Sequence, residues 1–449
     1  MIEQLLEKAK RRVDTAEVYA LDDTTMELSF EAGKLKSAEH KVFSGLGLRV
    51  IHNGRLGFSS TTDPGTLDEM VEKARAASAF GKAADFEFPA RSDLSRSRRA
   101  GAEPQQADAA ENPAVITFDP AVESYSPEEA VREGRKAVEM LRETVPKGLT
   151  DVHIETSVST IRILNTSGLD VSYRTTDFSH YIQSVIVDGD SILWIDDGGN
   201  YSNLTVGTEK YVRKISGLAT LAEKKAPKVS GSLPVIVTAE ELPELLESIE
   251  MGVDGKRLLK GESPLIGREG KKVLGQVTLV DDPFVDNGIG SRPFDDEGVP
   301  SQRTVLFDNG VFRSFLFDLD TAAKTGSVST ANAERQSLST PMIGTSNLVM
   351  STGTSNLDEM IADTREGVIV YGVLGGGQSN LIAGDFALNI MLGFHIRDGE
   401  VRGRLTDTMV SGNVYDAFGV IARMGAEIRH VGSVFVPDVM FSELSVSSR

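Results

Sequence analysis

The chain contains no cysteine in 449 residues. That excludes disulfides, thiolate nucleophiles and every cysteine-ligated zinc or iron–sulfur site. Positive charge is also scarce. Lys and Arg total 47 against 66 Asp and Glu, a net charge of −19. Such a surface repels nucleic-acid phosphates and anionic membranes, so neither is an expected partner. The one dense basic run, Arg96 to Arg99, falls in a linker-like stretch. No apolar run approaches the roughly 18 residues that would suggest a membrane span. The opening "MIEQLLEKAKRRV" carries charges throughout and reads as an amphipathic helix, not a signal peptide. The expectation is a soluble, cytoplasmic protein.

Several catalytic signatures are missing too. There is no G-x-S-x-G elbow and no G-x-x-x-x-G-K-[ST] loop; "GREGKK" (267–272) has the wrong spacing. The six histidines, His40, His52, His153, His180, His395 and His430, never fall within five residues of one another. No helical His pair can therefore grip a metal at i, i+4. His395, beside Arg397, is expected on the polar face of its strand. With an acidic neighbour, it or His430 is the residue around which an unrecognised hydrolytic site would be built.

What is present indicates an α+β protein of two domains, 1–230 and 231–449. Two windows share one layout. Gly33 and Gly54 are 21 residues apart, as are Gly168 and Gly189, and Phe43/Phe178, Val50/Val185 and Ile51/Ile186 keep the same offset of 135. Glycine and Asn-Gly or Asp-Gly supply the φ > 0 residues that tight hairpins need. The spacing predicts two three-stranded meanders with equivalent turns, a duplicated α-βββ-α unit. Helices are expected near 2–13, 66–80, 126–145 and 207–225, the third started by Ser126-Pro127-Glu128-Glu129. The polar stretch 91–113 reads as a flexible insertion, and "KKAPKVSGSLP" (224–234) as the domain boundary.

The second domain reads as β-rich, a mostly antiparallel sheet with peripheral helices. Hairpins turn at Asn309-Gly310 and Asp398-Gly399, and short helices are expected at 357–365 and 414–424. Asp281, Asp282, Asp286, Asp295 and Asp296 crowd 281–298 but lack the alternating spacing of an EF-hand, so a solvated acidic loop is expected there. In "GVLGGGQSNLIAGDFALNI" (372–390), Gly375, Gly376 and Gly377 are contiguous and are followed by more strand. A dinucleotide loop needs spaced glycines leading into a helix. What remains is a turn that lets an extended peptide approach, or a plain corner between strands.

"PFDDEGVPSQRTVLFDNGVFRSFLFDLDTAAKTG" (293–326), the Gly-Gly-Gly-Gln block and the ending "GSVFVPDVMFSELSVSS" together resemble the TldD/PmbA family, also called the modulator of DNA gyrase family. With "GLGLRVIHNGRLGFSSTTD" the resemblance covers nearly the whole chain. Catalytic members carry H-E-x-x-x-H on a helix and a C-terminal Cys; the TldE/PmbA-like branch lacks both. Here the corresponding stretch is "EELPELLESIEMGVDGKR" (240–257), with Glu247, Ser248 and Gly252 at the motif positions and no histidine in any register. The resemblance implies a non-catalytic subunit of a two-component cytoplasmic zinc metallopeptidase. The zinc belongs to a TldD-like partner, this chain holds no cofactor or metal, and short or unfolded peptides are the substrate. Gly375, Gly376, Gly377 and Gln378, with Asp385 and Asn389 beyond them, become candidate cavity-lining or peptide-binding residues. An independent hydrolase and a homodimeric peptide-binding protein are the rival readings.

Overall fold

The computed structural model describes residues 1–91, 115–189, 191–375 and 380–449. The insertion expected at 91–113 lies almost wholly outside them. In the first half, six antiparallel strands, β1 (Thr15–Glu31), β2 (Lys34–His52), β3 (Arg55–Thr61), β4 (Gly148–Asn165), β5 (Asp170–Asp188) and β6 (Ser191–Tyr201), form one sheet in the order β3-β2-β1-β4-β5-β6. The two meanders meet along β1 and β4, where Glu27 faces Glu155. The Asn53-Gly54 turn has φ of 51° and 70°, the values a two-residue hairpin demands.

Helices cover one face of this sheet. Apolar residues at helical spacing bury Ile2, Leu5, Leu6 and Ala9 of α1 (Ile2–Lys10) and Leu67, Met70, Val71 and Ala74 of α2 (Leu67–Ser78) against Val18, Leu48 and Val50. The capping box of Ser126 and Glu129 starts α3 (Pro127–Thr144), and α4 (Thr208–Ala222) follows β6. Both contribute to the core that holds Met26, Leu28 and Phe30. Strand residues alternate in direction. The odd-numbered residues of β1 therefore face the other way, Tyr19 against Phe294 and Glu27 towards solvent-accessible space.

The second half is built on a ring of pairings. Strand Gly231–Val237 lies between Glu366–Leu374, to which it is parallel, and Val439–Ser448; the latter pairs with Thr408–Asn413, and that strand with Asp385–Arg397. Asp385–Arg397 then pairs back onto Glu366–Leu374, closing the ring. Val237, Val370, Phe386, Leu388, Val410 and Leu444 face its interior, where Leu245 of α5 (Leu242–Val253) joins them. On the outside, Ile236, Ile369, Phe394 and Met440 share a core with α3 and α4. A second six-stranded sheet, from Val311–Phe312 to Arg429–Val431, stands alongside.

Three expectations need correction. The helix at 414–424 is shorter, Val414–Gly419, and Ile421–Met424 is a strand paired with Val439–Ser448. His395 is not on a polar face: it is 2% exposed, because its strand is covered on both sides. The acidic segment is not solvated. Asp281, Asp295, Asp296 and Glu297 are all buried, since the segment tucks between the second six-stranded sheet and the strands of the first half. Asp282 ion-pairs with Arg303, and Asp286 alone of the five aspartates is exposed.

Candidate functional site

A cavity of about 760 Å³ opens beside α5. Its spacing explains the lining. Glu247, Glu250, Met251 and Asp254 stand at i, i+3, i+4 and i+7, one helix face, and all four line the cavity. The rest of the lining includes residues 289–292 and 342–346, Tyr173 and Thr175 of β5, and Glu334, Lys256 and Arg257. Burial pushes the carboxyls of Glu250 and Asp254 up, opposed at Glu250 by the Thr345 Oγ1 hydrogen bond (2.7 Å) and at Asp254 by its backbone bond to Lys256. Glu334 is raised by burial as well, with Arg292 working against the shift.

Next to this cavity lies a buried charge network. Glu17 accepts from Arg49 Nη2 at 2.9 Å and from Arg335 Nη2 at 2.5 Å, and Arg49 Nη1 donates to Glu297 at 2.5 Å. Asp295 accepts from the backbone N–H groups of Glu297, Val299 and Ala333; Asp281 accepts from Ser346 N, Ser346 Oγ and Asn332 Nδ2. Protein donors already claim these carboxylate oxygens, which leaves them poorly disposed to wrap a calcium ion.

Of the three motif positions on α5, Glu247 is exposed towards the cavity, whereas Ser248 and Gly252 are buried on another face. Ser248 Oγ has no hydrogen-bond partner, and its carbonyl accepts from Tyr415 Oη at 3.4 Å. A Cβ at Gly252 would overlap that same hydroxyl and press on Leu265. Zinc needs convergent imidazole, thiolate or carboxylate donors with room for a bound water. One outward carboxylate, one buried hydroxyl and a glycine filled in by tyrosine do not fit the ion.

The glycine-rich segment lies elsewhere. Gly375 follows strand Glu366–Leu374 near the start of α5, where a Cβ would stand 3.9 Å from Glu244 Oε2, and it is not among the cavity-lining residues. Gly376, Gly377 and Gln378 are outside the described residues. Asp385 is exposed and accepts from Asn413 Nδ2 at 2.9 Å; Asn389 is exposed opposite Met409. Just before the turn, Val373 N donates to Glu241, whose carboxyl burial lifts to about 7.

The histidines are scattered. His180 is wholly buried against Phe178 and Tyr211, and burial lowers it to about 4. His395 Nε2 lies 3.4 Å from Glu366, His430 packs on Phe435, and His40 and His52 are on β2. Only His153 joins a possible ligand group among the described residues. It lies with Glu27 and Glu155, ligand atoms within 4.8 Å of one another, but Lys41 Nζ already holds Glu27 at 2.6 Å. Arg292, Glu250 and Asp254 escaped the sequence reading. The acids could have been found by their helical spacing from Glu247; nothing local marks Arg292 except the glycines at 288 and 290.

The fold is thus mixed α+β and sheet-dominated, with a cavity beside α5. Family models agree along the chain: PmbA/TldA metallopeptidase domain 1 matches 16–78, the central domain 120–225 and the C-terminal domain 230–448. The chain belongs to the TldD/PmbA family. A "Metalloprotease" of Methanothermobacter thermautotrophicus is 29% identical over 93% of this chain and 89% of its own. "Metalloprotease PmbA" of Escherichia coli O157:H7 is 24% identical over 99% and 94%. In structure, TldE from Thermococcus kodakarensis shares the fold, with a TM-score of 0.88 and 24% identity over 99% of each chain.

Proposed function

We propose that this chain is the non-catalytic, TldE/PmbA-like subunit of a two-component cytoplasmic zinc metallopeptidase acting on short or unfolded peptides. The observation that carries the reading is α5. The helix that the sequence resemblance sets against the family's zinc helix offers Glu247, Ser248 and Gly252, and Tyr415 lies where a side chain at Gly252 would go. Without convergent ligands no metal-activated water forms, and a lone carboxylate does not replace it at neutral pH. The zinc is then supplied by a TldD-like partner, and the cavity beside α5 belongs to the peptide-holding part of the assembly. The two meanders are read as copies of one α-βββ-α unit, on the strength of their constant 135-residue offset.

Purification of the tagged full chain from its own cells, with mass identification of what accompanies it, tests the proposal. The expected result is an equimolar companion carrying H-E-x-x-x-H, with casein cleavage and chelator sensitivity appearing only in the pair. Recovery as a homodimer that cleaves casein by itself overturns it.

A further inference from the structure

Arg292 is an unusual residue for its surroundings. It is 8% exposed, lines the cavity, and its Nε and Nη2 are buried without a hydrogen-bond partner. Asp296, Asp295, Asp281 and Glu334 balance its charge, but a buried donor without a hydrogen bond is still costly. Its backbone is rigidly placed. A Cβ at Gly290 would run into the Ser346 carbonyl, Gly290 N donates to Asn347 Oδ1 at 3.0 Å, and Asn347 Nδ2 donates to Ser291 Oγ at 2.9 Å. The backbone that carries Arg292 is therefore fixed at the cavity wall.

We propose that Arg292 is the anchor for a ligand carboxylate, the C-terminal carboxylate of a short peptide, in the cavity beside α5. This rests on the reading of that cavity as peptide-binding. Guanidinium and carboxylate match as planar, bidentate partners, and the pairing is strong when water is excluded. The other wall decides the ligand's remaining chemistry. Glu247, Glu250, Asp254 and Glu334 repel a dianionic phosphate but attract an amine, so one ligand must present both signs of charge. From Glu247 to Asp254 the helix rises about 10 Å, the span of about three extended residues. The cavity volume also lies within the ordinary range for small-ligand sites, about 300–1,000 Å³.

The test uses the purified full chain and the tripeptide Lys-Ala-Ala, with either a free C-terminus or a C-terminal amide, in calorimetric titrations. The free acid is expected to bind at least about tenfold more tightly than the amide in the native protein. Arg292→Gln is expected to bring that ratio to about one, and added acetate to weaken the acid selectively. Equal affinities for acid and amide in the native protein overturn the anchor while leaving a peptide site. Persistence of the ratio in Arg292→Gln overturns it as well. Failure of both peptides to bind removes the peptide reading of the cavity and the anchor with it. If the variant does not fold, the acid–amide ratio and its acetate sensitivity in the native chain still decide.

Discussion

Three arginines are buried around the segment 292–297, and they differ in one respect. Arg49 and Arg335 hydrogen-bond to carboxylates and carbonyls, sharing Glu17 and reaching Glu297, the Asp296 carbonyl and the Ser339 carbonyl, with Arg49 Nε left over. Among the described residues Arg292 makes no side-chain hydrogen bond and is held only by the longer-range attraction of Asp296, Asp295 and Asp281. A guanidinium bonded to carboxylates ties separate chain segments together and has little left over for a ligand. One that only balances nearby charge still has hydrogen bonds to give to what enters the cavity. Burial and charge are shared; partnering separates a structural arginine from one suited to binding.

The most direct way to break that comparison is to remove the shared acid. Glu17→Gln leaves two buried guanidiniums short of a charge, and the expected loss is about 3–5 kcal/mol, read from urea unfolding. Arg292→Gln should cost less, about 1–3 kcal/mol in the same measurement, because the side chain gives up no hydrogen bond although Asp295 and Asp296 lose a counter-charge. A loss equal to that of Glu17→Gln would erase the distinction.

The motif helix allows a second contrast, between the face of α5 that meets the cavity and the face that meets Tyr415. Gly252→Ala should destabilise by about 1–3 kcal/mol through overpacking. Adding Tyr415→Phe, which removes the hydroxyl that the new methyl would meet, should restore much of this. An absence of rescue would mean that Leu265 sets the constraint. Glu247→Ala, on the open face, lacks any such packing partner.

A smaller effect is expected at Glu241, where the strand before the glycine-rich turn meets α5. Its carboxyl is raised by burial to about 7 from an ordinary 4.5, so the folded chain keeps a proton that the unfolded chain releases. The contribution to stability is fully present below the unfolded value and is lost as pH rises through 7. Between those limits stability should fall by about 1–3 kcal/mol, and Glu241→Gln should flatten that part of the profile. An unchanged slope would assign the pH dependence to other buried acids, Asp438 and Asp281 among them.

These contrasts also show what could be read without coordinates. Asn53-Gly54, Asn309-Gly310 and Asp398-Gly399 all take positive φ, and each was legible because few residue pairs can do so in a tight turn. Ser126 with Glu129 fixed the start of α3 for a similarly local reason. The acidic segment was misread because its partners are remote. Arg49 lies 248 residues from Glu297, and Arg335 is 318 from Glu17. Closure of the strand ring depends on the parallel pairing of Glu366–Leu374 with Gly231–Val237, again far apart in sequence. That α5 carries no histidine could be read from residue types, but the tyrosine packed against Gly252 could not.

The weakest contrast sets the buried network against its exposed counterpart on the same sheet. Lys41 Nζ contacts Glu27 at 2.6 Å and Glu39 at 3.1 Å, a geometry as short as that of Arg335 on Glu17. Distance is therefore not what separates them. At an exposed site water solvates the separated charges nearly as well, salt screens their attraction, and two long side chains must be ordered to make the pair. Lys41→Ala should leave the urea midpoint unchanged at low and at high salt. It would, however, free Glu27 beside His153 and Glu155. A thermal midpoint that rises with added manganese only in Lys41→Ala would mean that the ammonium had been standing where a cation fits. No rise in either protein would mean that three ligand atoms on a flat sheet, open to water on one side, are too few to hold one.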